Sequence, residues 1–162
     1  MKEQYKFNYS TYSHISDLQI DDAALLIEAR KITQKAYAPY SNFLVGAAAL
    51  LVNGQKLYGT NQENASYPVG ICAERVLLAS ASMLHTDEPI STIAISYNNL
   101  SPNGHSDSPI SPCGMCRQSL AEYEQRTNHP IRLILSGMEG KVIIIESAAQ
   151  LLPFSFNSNS IK

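Results

Sequence analysis

The sequence has no excess of positive charge: 12 Lys and Arg stand against 14 Asp and Glu, a net charge of −2. It also lacks a basic stripe with interleaved aromatics, so the electrostatic footprint of a nucleic-acid binder is missing. There is no long apolar run. Residues 43–52 end at Asn53-Gly54, well short of the roughly 18 apolar residues that suggest a membrane span. The opening M-K-E-Q-Y-K-F-N-Y-S has no apolar stretch of the kind a secretory leader carries. Cysteine is scarce, with three in the chain. Three cannot all pair internally, and a chain of 162 residues sustains a core without disulfides. That leaves free thiols, an intermolecular bridge or a metal site. Thiols and no leader together predict a cytoplasmic protein. Gly and Pro number 8 each beside 44% apolar and 16% charged residues, which excludes collagen-like, coiled-coil and disordered chains. The length predicts a single domain over 1–162 with a polar, mobile tail at 157–162.

Local patterning supplies the elements. Residues 2–13 alternate weakly through Tyr5, Phe7 and Tyr9 and read as a marginal edge strand. Asp21 or Asp22 is placed to cap a helix that runs to a stop at Ala38-Pro39. Asn53-Gly54 between two apolar runs predicts a hairpin. Residues 72–84 and 114–126 read as helices. The strands fall at 43–52, 55–60, 90–97, 131–135 and 141–145, with a turn at 137–140. Residues 61–71 and 98–112 read as loops, and 147–152 as one helical turn before Pro153. Helices separated by apolar strands predict an α/β fold with a sheet covered on both faces.

The three cysteines fall where one site would need them. Cys113 and Cys116 form P-C-G-M-C at a predicted helix start, and Cys72 opens the other predicted helix in C-A-E-R. Two thiolates three residues apart, with a third from a neighbouring helix, give three protein ligands. The fourth tetrahedral position is left for water, as in catalytic rather than structural zinc sites. His14, His85, His105 and His129 stand in no ligand-like spacing to the cysteines and read as ordinary surface or loop residues. A lone C-x-x-C also fits a redox pair. The joint pattern C-x-E…P-C-x-x-C instead matches the three-cysteine form of the zinc nucleobase deaminase signature. Glu74, two residues after Cys72, is then placed as a proton carrier rather than a ligand. One Zn²⁺ with three thiolates is formally negative, which opposes deprotonation of a bound water. Arg75 and Arg117, next to the ligand helix starts, are candidates to offset that charge by hydrogen-bonding the thiolates.

Four stretches carry a family resemblance: P-Y-S-N-F-L-V-G-A-A (39–48), N-Q-E-N-A-S-Y-P-V-G-I-C-A-E-R (61–75), S-P-C-G-M-C-R-Q (111–118) and L-L-P-F-S-F (151–156). In order and spacing, over roughly residues 20–156, the chain resembles the cytidine deaminases of the short, homotetrameric, zinc-dependent type. Residues 1–19, an N-terminal extension, and the Asn-rich loop near 98–110 have no clear counterpart. The resemblance implies a three-layer α/β/α sandwich on a five-stranded mixed sheet. It implies one Zn²⁺ per subunit on Cys72, Cys113 and Cys116, with Glu74 as proton shuttle. The backbone of Ala73 would meet the pyrimidine carbonyl, and Asn61 and Glu63 would bind the ribose hydroxyls. Phe43 would pack on the base, and Phe156 would reach a neighbouring subunit's site. Tyr40 and Tyr67 would border the site between subunits. The implied reaction is hydrolytic deamination of cytidine and 2′-deoxycytidine, a step of pyrimidine salvage. The partners implied are a small nucleoside and further copies of the chain, with no nucleic acid and no membrane.

Two rivals share the metal site. A deaminase of another cytosine nucleoside, such as blasticidin S, would have little use for both Asn61 and Glu63. A non-catalytic zinc-stabilised interaction module would be expected to lack the Glu of C-x-E or to carry a fourth protein ligand.

Overall fold

The computed structural model describes residues 1–161; Lys162, the end of the expected polar tail, lies outside the described residues. The first helix, α1 (Ile20–Ile32), is capped by Gln19 without a side-chain bond. Asp21 and Asp22 therefore sit inside its first turn, where they favour the positive end of the helix dipole. A 3-10 turn at Thr33–Lys35 ends it, a few residues ahead of the expected stop. The Asn53-Gly54 signal is answered by the antiparallel pair β2 (Phe43–Leu51) and β3 (Lys56–Thr60). Gly54 there takes φ +84, a conformation that costs glycine little. After α2 (Ala73–Leu84), β4 (Ile90–Asn99) and α3 (Gly114–Thr127) come β5 (Arg132–Ser136) and β6 (Val142–Ile145).

The sheet has six strands rather than the five expected. A short β1 (Ser10–Tyr12) pairs antiparallel with β6, Thr11 opposite Ile143. The spatial order is β1-β6-β5-β4-β2-β3, and β4–β5 is the single parallel pair. Only Ser10–Tyr12 of the weakly alternating 2–13 segment finds a strand partner. The tail, expected to be polar and mobile, contains a 3-10 turn at Ser158–Ser160, where the Asn157 side chain accepts from the Asn159 N–H.

Strand alternation divides the core into two layers. Ala47, Ala49, Ile93, Ile95, Leu133 and Leu135 face α2 and α3, together with Leu77 and Leu120. Their neighbours Ala48, Ala94 and Ile134 face α1, where Leu25, Leu26 and Ala29 meet them. This is the three-layer sandwich anticipated from the sequence. The small residues of β2 let helices approach closely. At Gly59 of β3 an added Cβ would collide with the Ala73 carbonyl and with the Leu77 N–H, so β3 lies directly under the first turn of α2.

Glu124 closes the far end of α3. Its buried carboxylate accepts from the N–H groups of Ile131 (2.7 Å), Ala148 (2.8 Å) and Ala149 (3.2 Å) and from the Ser147 hydroxyl. It thereby ties α3 to the start of β5 and to a 3-10 turn at Ala148–Leu151. Glu124→Ala leaves these buried donors unpaired, and the expected cost is about 3 kcal/mol. The readout is a lower urea midpoint at unchanged m; a loss under about 1 kcal/mol would mean that water replaces the carboxylate.

Candidate metal centre and nucleoside cleft

The two helix N-termini that Gly59 and the core bring together both begin with cysteine. Cys72 is the N-cap of α2 and Cys113 the N-cap of α3, each in extended conformation. Cys116, one turn into α3, is fully buried. The Cys72 and Cys113 sulfurs are 3.8 Å apart, and those of Cys113 and Cys116 3.5 Å. All three lie within 4.8 Å of one another, and no other metal-ligating group joins them among the described residues. A Zn–S bond of about 2.3 Å in tetrahedral geometry places sulfurs about 3.8 Å apart. The donor set and its spacing therefore fit a three-thiolate zinc ion.

The sulfurs compete for protons. Cys116 draws the Cys72 thiol down to about 6, in the range of thiols that ionise near neutral pH. The same contact, with burial, pushes the Cys116 thiol up. Glu74 is 5% exposed in the first turn of α2. Burial raises its carboxyl above the usual range, against opposing bonds from its own backbone N–H and from Cys116. A carboxyl in that position is suited to hold a proton and release it to a bound molecule.

A cleft of about 290 Å³ opens onto these groups. Val45, Ile71, Ile95 and Ile110 supply its apolar wall, and Asn61, Glu63, Cys72, Glu74 and Cys113 its polar atoms. Ala73 also lines it; as first residue of α2 its N–H has no intrahelical partner. A second cleft continues outward past Glu63, Tyr67 and Gly70 to Tyr40. The Tyr40 and Tyr67 rings meet edge to face at 5.9 Å. A larger cleft, about 370 Å³, lies beside the C-terminal half of α3 and touches none of the cysteines.

Asn61 and Glu63 are already engaged with the chain. The Asn61 amide donates to the Phe43 carbonyl (2.8 Å) and accepts from the Val45 N–H (2.7 Å). One N–H and one lone pair stay available to a ligand. The Glu63 carboxylate accepts from the N–H groups of Tyr40 (2.9 Å) and Ser41 (3.3 Å). The Ser41 hydroxyl and these N–H groups hold its carboxyl below the usual range.

Other expected positions differ. Phe43 does not line the cleft; its ring stacks on Tyr97 at 4.8 Å and 16°. Phe156 is 63% exposed, with its carbonyl accepting from Gln118, and borders the larger cleft on α3. Neither arginine hydrogen-bonds a thiol. Arg75 lies in the groove between α2 and α3 and reaches Cys72 only through its charge, which lowers the Cys72 pKa slightly. Arg117 donates to the carbonyls of Pro112 (2.8 Å) and Leu151 (3.3 Å), because its position on α3 turns it toward the backbone before Cys113. Ser41, Ile110 and Ser111 enter the site without having been singled out from the sequence. The position of Ile110 and Ser111 directly before P-C-G-M-C was the one available signal.

Comparison with known proteins agrees with this geometry. Residues 19–128 match the family model described as the cytidine and deoxycytidylate deaminase zinc-binding region. A cytidine deaminase from Sporosarcina psychrophila is 34% identical over 142 residues, covering 88% of this chain and 96% of its own. One from Halalkalibacterium halodurans is 33% identical over 142 residues, covering 88% and 98%. The crystal structure of a cytidine deaminase from Burkholderia pseudomallei superposes with a TM-score of 0.71 at 38% identity, covering 86% of this chain and 100% of the other.

Proposed function

Because the chain belongs to the cytidine and deoxycytidylate deaminase zinc-binding family, we propose that it hydrolyses free cytidine and 2′-deoxycytidine to the uridines and ammonia. The observation that carries this reading is the three-sulfur cluster with Glu74 beside it at the floor of a nucleoside-sized cleft. The cofactor is zinc, one ion per chain, on Cys72, Cys113 and Cys116. Zinc supplies acidification of a water toward neutral pKa. Glu74 would take one proton of the water on its carboxylate and pass it to the pyrimidine ring nitrogen, then take the second from the oxygen added at C4 and deliver it to the departing amine. The oxygen of water ends on C4 and the amine leaves as ammonia. The Ala73 N–H donates to the pyrimidine carbonyl. Asn61, through its remaining N–H, and Glu63, through its free carboxylate oxygen, bind the ribose hydroxyls. Phe43, stacked on Tyr97 outside the lining of the cleft, is assigned to the base from the family resemblance alone.

We read the chain as one domain, since both core layers flank one sheet. Four copies sharing their sites are proposed from the family resemblance. The exposure of Tyr67 (75%), Phe154 (100%) and Phe156 (63%) supports it. No described helix is long and apolar enough to cross a membrane, and a cytoplasmic location is proposed from the three free thiols.

The test is absorbance-monitored deamination of cytidine before and after chelation, with zinc add-back. Activity should vanish with the metal and return with it, and single-stranded DNA should not be a substrate. Ammonia release from cytidine by the fully chelated protein would overturn the assignment.

A further inference from the structure

The loop between β4 and α3 carries the cleft residues Ile110 and Ser111, and it is fastened at several points. At its start Leu100 N–H donates to the Asn42 carbonyl (2.9 Å), and the Asn99 N–H donates to the Ser106 hydroxyl (2.9 Å). At its end the Pro112 carbonyl is held by Arg117 (2.8 Å). In its middle the loop rests on the β5–β6 turn. The Ser106 carbonyl accepts from the Glu139 N–H (3.2 Å). A Cβ on Gly137 would collide with that same carbonyl, and one on Gly140 with the carbonyl of Asp107. These are backbone atoms, which cannot rotate away. The turn is itself braced from the opposite layer: Arg30 of α1 donates to the Gly137 carbonyl (2.9 Å) and to the Ser136 hydroxyl (3.2 Å).

We infer that Gly137 and Gly140 are positioning residues for substrate, seating Ser106–Asp107 and thereby setting the cleft wall at Ile110–Ser111. Residues 108–111 alone separate the seat at Asp107 from the clamp at Pro112, and Pro109 stiffens them. A chain of this length spans only about 3.3–3.6 Å per residue when extended. These four residues are all that stands between a displaced seat and the clamp. A side chain on Gly137 must move the seat by about 1 Å, which displaces wall residues that bind the nucleoside and not the groups that react with it. Cys72 and Glu74 are insulated from that movement, since α2 is seated separately on β3 at Gly59, while Cys113 and Cys116 follow the loop beyond the clamp that Arg117 places on the Pro112 carbonyl.

This role rests on the proposed deamination, and the experiment separates the two. Gly137 has no positive φ, so Gly137→Ala acts through the collision with Ser106 and not through its own φ. The expected result is a KM for cytidine raised about tenfold, a weaker Kd for uridine, a much smaller change in kcat, and full zinc content. Pro109→Gly, which loosens the tether without touching the seat, is expected to raise KM in the same direction. Gly54→Ala is the control: it strains the hairpin turn at φ +84 with nothing within 4 Å, and should lower Tm while leaving KM unchanged. Active wild-type protein with unaltered KM and uridine Kd in both Gly137→Ala and Pro109→Gly overturns the positioning role alone. If Gly137→Ala fails to fold, Pro109→Gly decides on the same readouts. Wild-type protein inactive on cytidine overturns the assigned reaction and this role with it.

Discussion

Glu74→Gln is expected to keep its zinc and its fold while kcat for cytidine falls by about 10²–10⁴-fold, the usual contribution of a positioned proton-transfer group. Glutamine matches glutamate in shape, so the packing around this 5% exposed side chain is preserved. Burial already disfavours the charged form at this position, and the neutral amide therefore brings no desolvation cost of its own. What disappears is the ability to accept and return a proton. Zinc analysis and ammonia release on the same preparation make the comparison. A variant that deaminates at nearly the wild-type rate removes Glu74 from the mechanism. Equal inactivity of wild type and variant, with zinc bound in both, would favour a zinc-stabilised interaction module.

Cys113→Ala should produce the opposite dissociation of properties: zinc lost, fold kept. Cys113 is the exposed member of the cluster, so its truncation opens no core cavity. As N-cap of α3 it makes no side-chain capping bond, so the helix forfeits none. Partners outside the coordination sphere cost 10–100-fold in metal affinity when removed, and a ligand should cost more than about 10²-fold. Cys113 lies 3.8 and 3.5 Å from the other two sulfurs, and its loss leaves two of the three protein ligands. The variant is expected to purify without stoichiometric zinc, with an unchanged far-ultraviolet spectrum and no activity. A full complement of zinc would refute the ligand set.

The sequence disclosed most where the physics is local. Asn53-Gly54 signalled its hairpin because the turn over residues 52–55 needs a positive φ, which Gly54 takes at +84. Cys72, Cys113 and Cys116 were readable because helix starts and a fixed C-x-x-C spacing place sulfurs without knowledge of the rest of the fold. Arg75 and Arg117 were not readable in the same way. Their positions beside the ligands are fixed by sequence, but the direction of a long side chain is decided by what surrounds it, and for Arg117 that was the free carbonyls of Pro112 and Leu151. The stacking of Phe43 on Tyr97 depends on the register between β2 and β4, which no periodicity reveals. The seat of the 98–112 loop on Gly137 and Gly140 is likewise a meeting of two irregular segments. Asp21 and Asp22 are alternative helix caps by sequence, and the structure instead pairs Asp22 with Arg132 of β5, a partner 110 residues away.

The short strand β1 changes how the molecule presents itself to its neighbours in solution. β6 is Val-Ile-Ile-Ile, a run with the β-propensity and lack of charge that make bare sheet margins self-adhesive. With Ser10–Tyr12 laid along Val142–Ile144, the margin offered to solvent becomes Ser-Thr-Tyr, three residues long. The N-terminal segment thus covers an uncharged, β-prone margin and leaves a short polar one in its place.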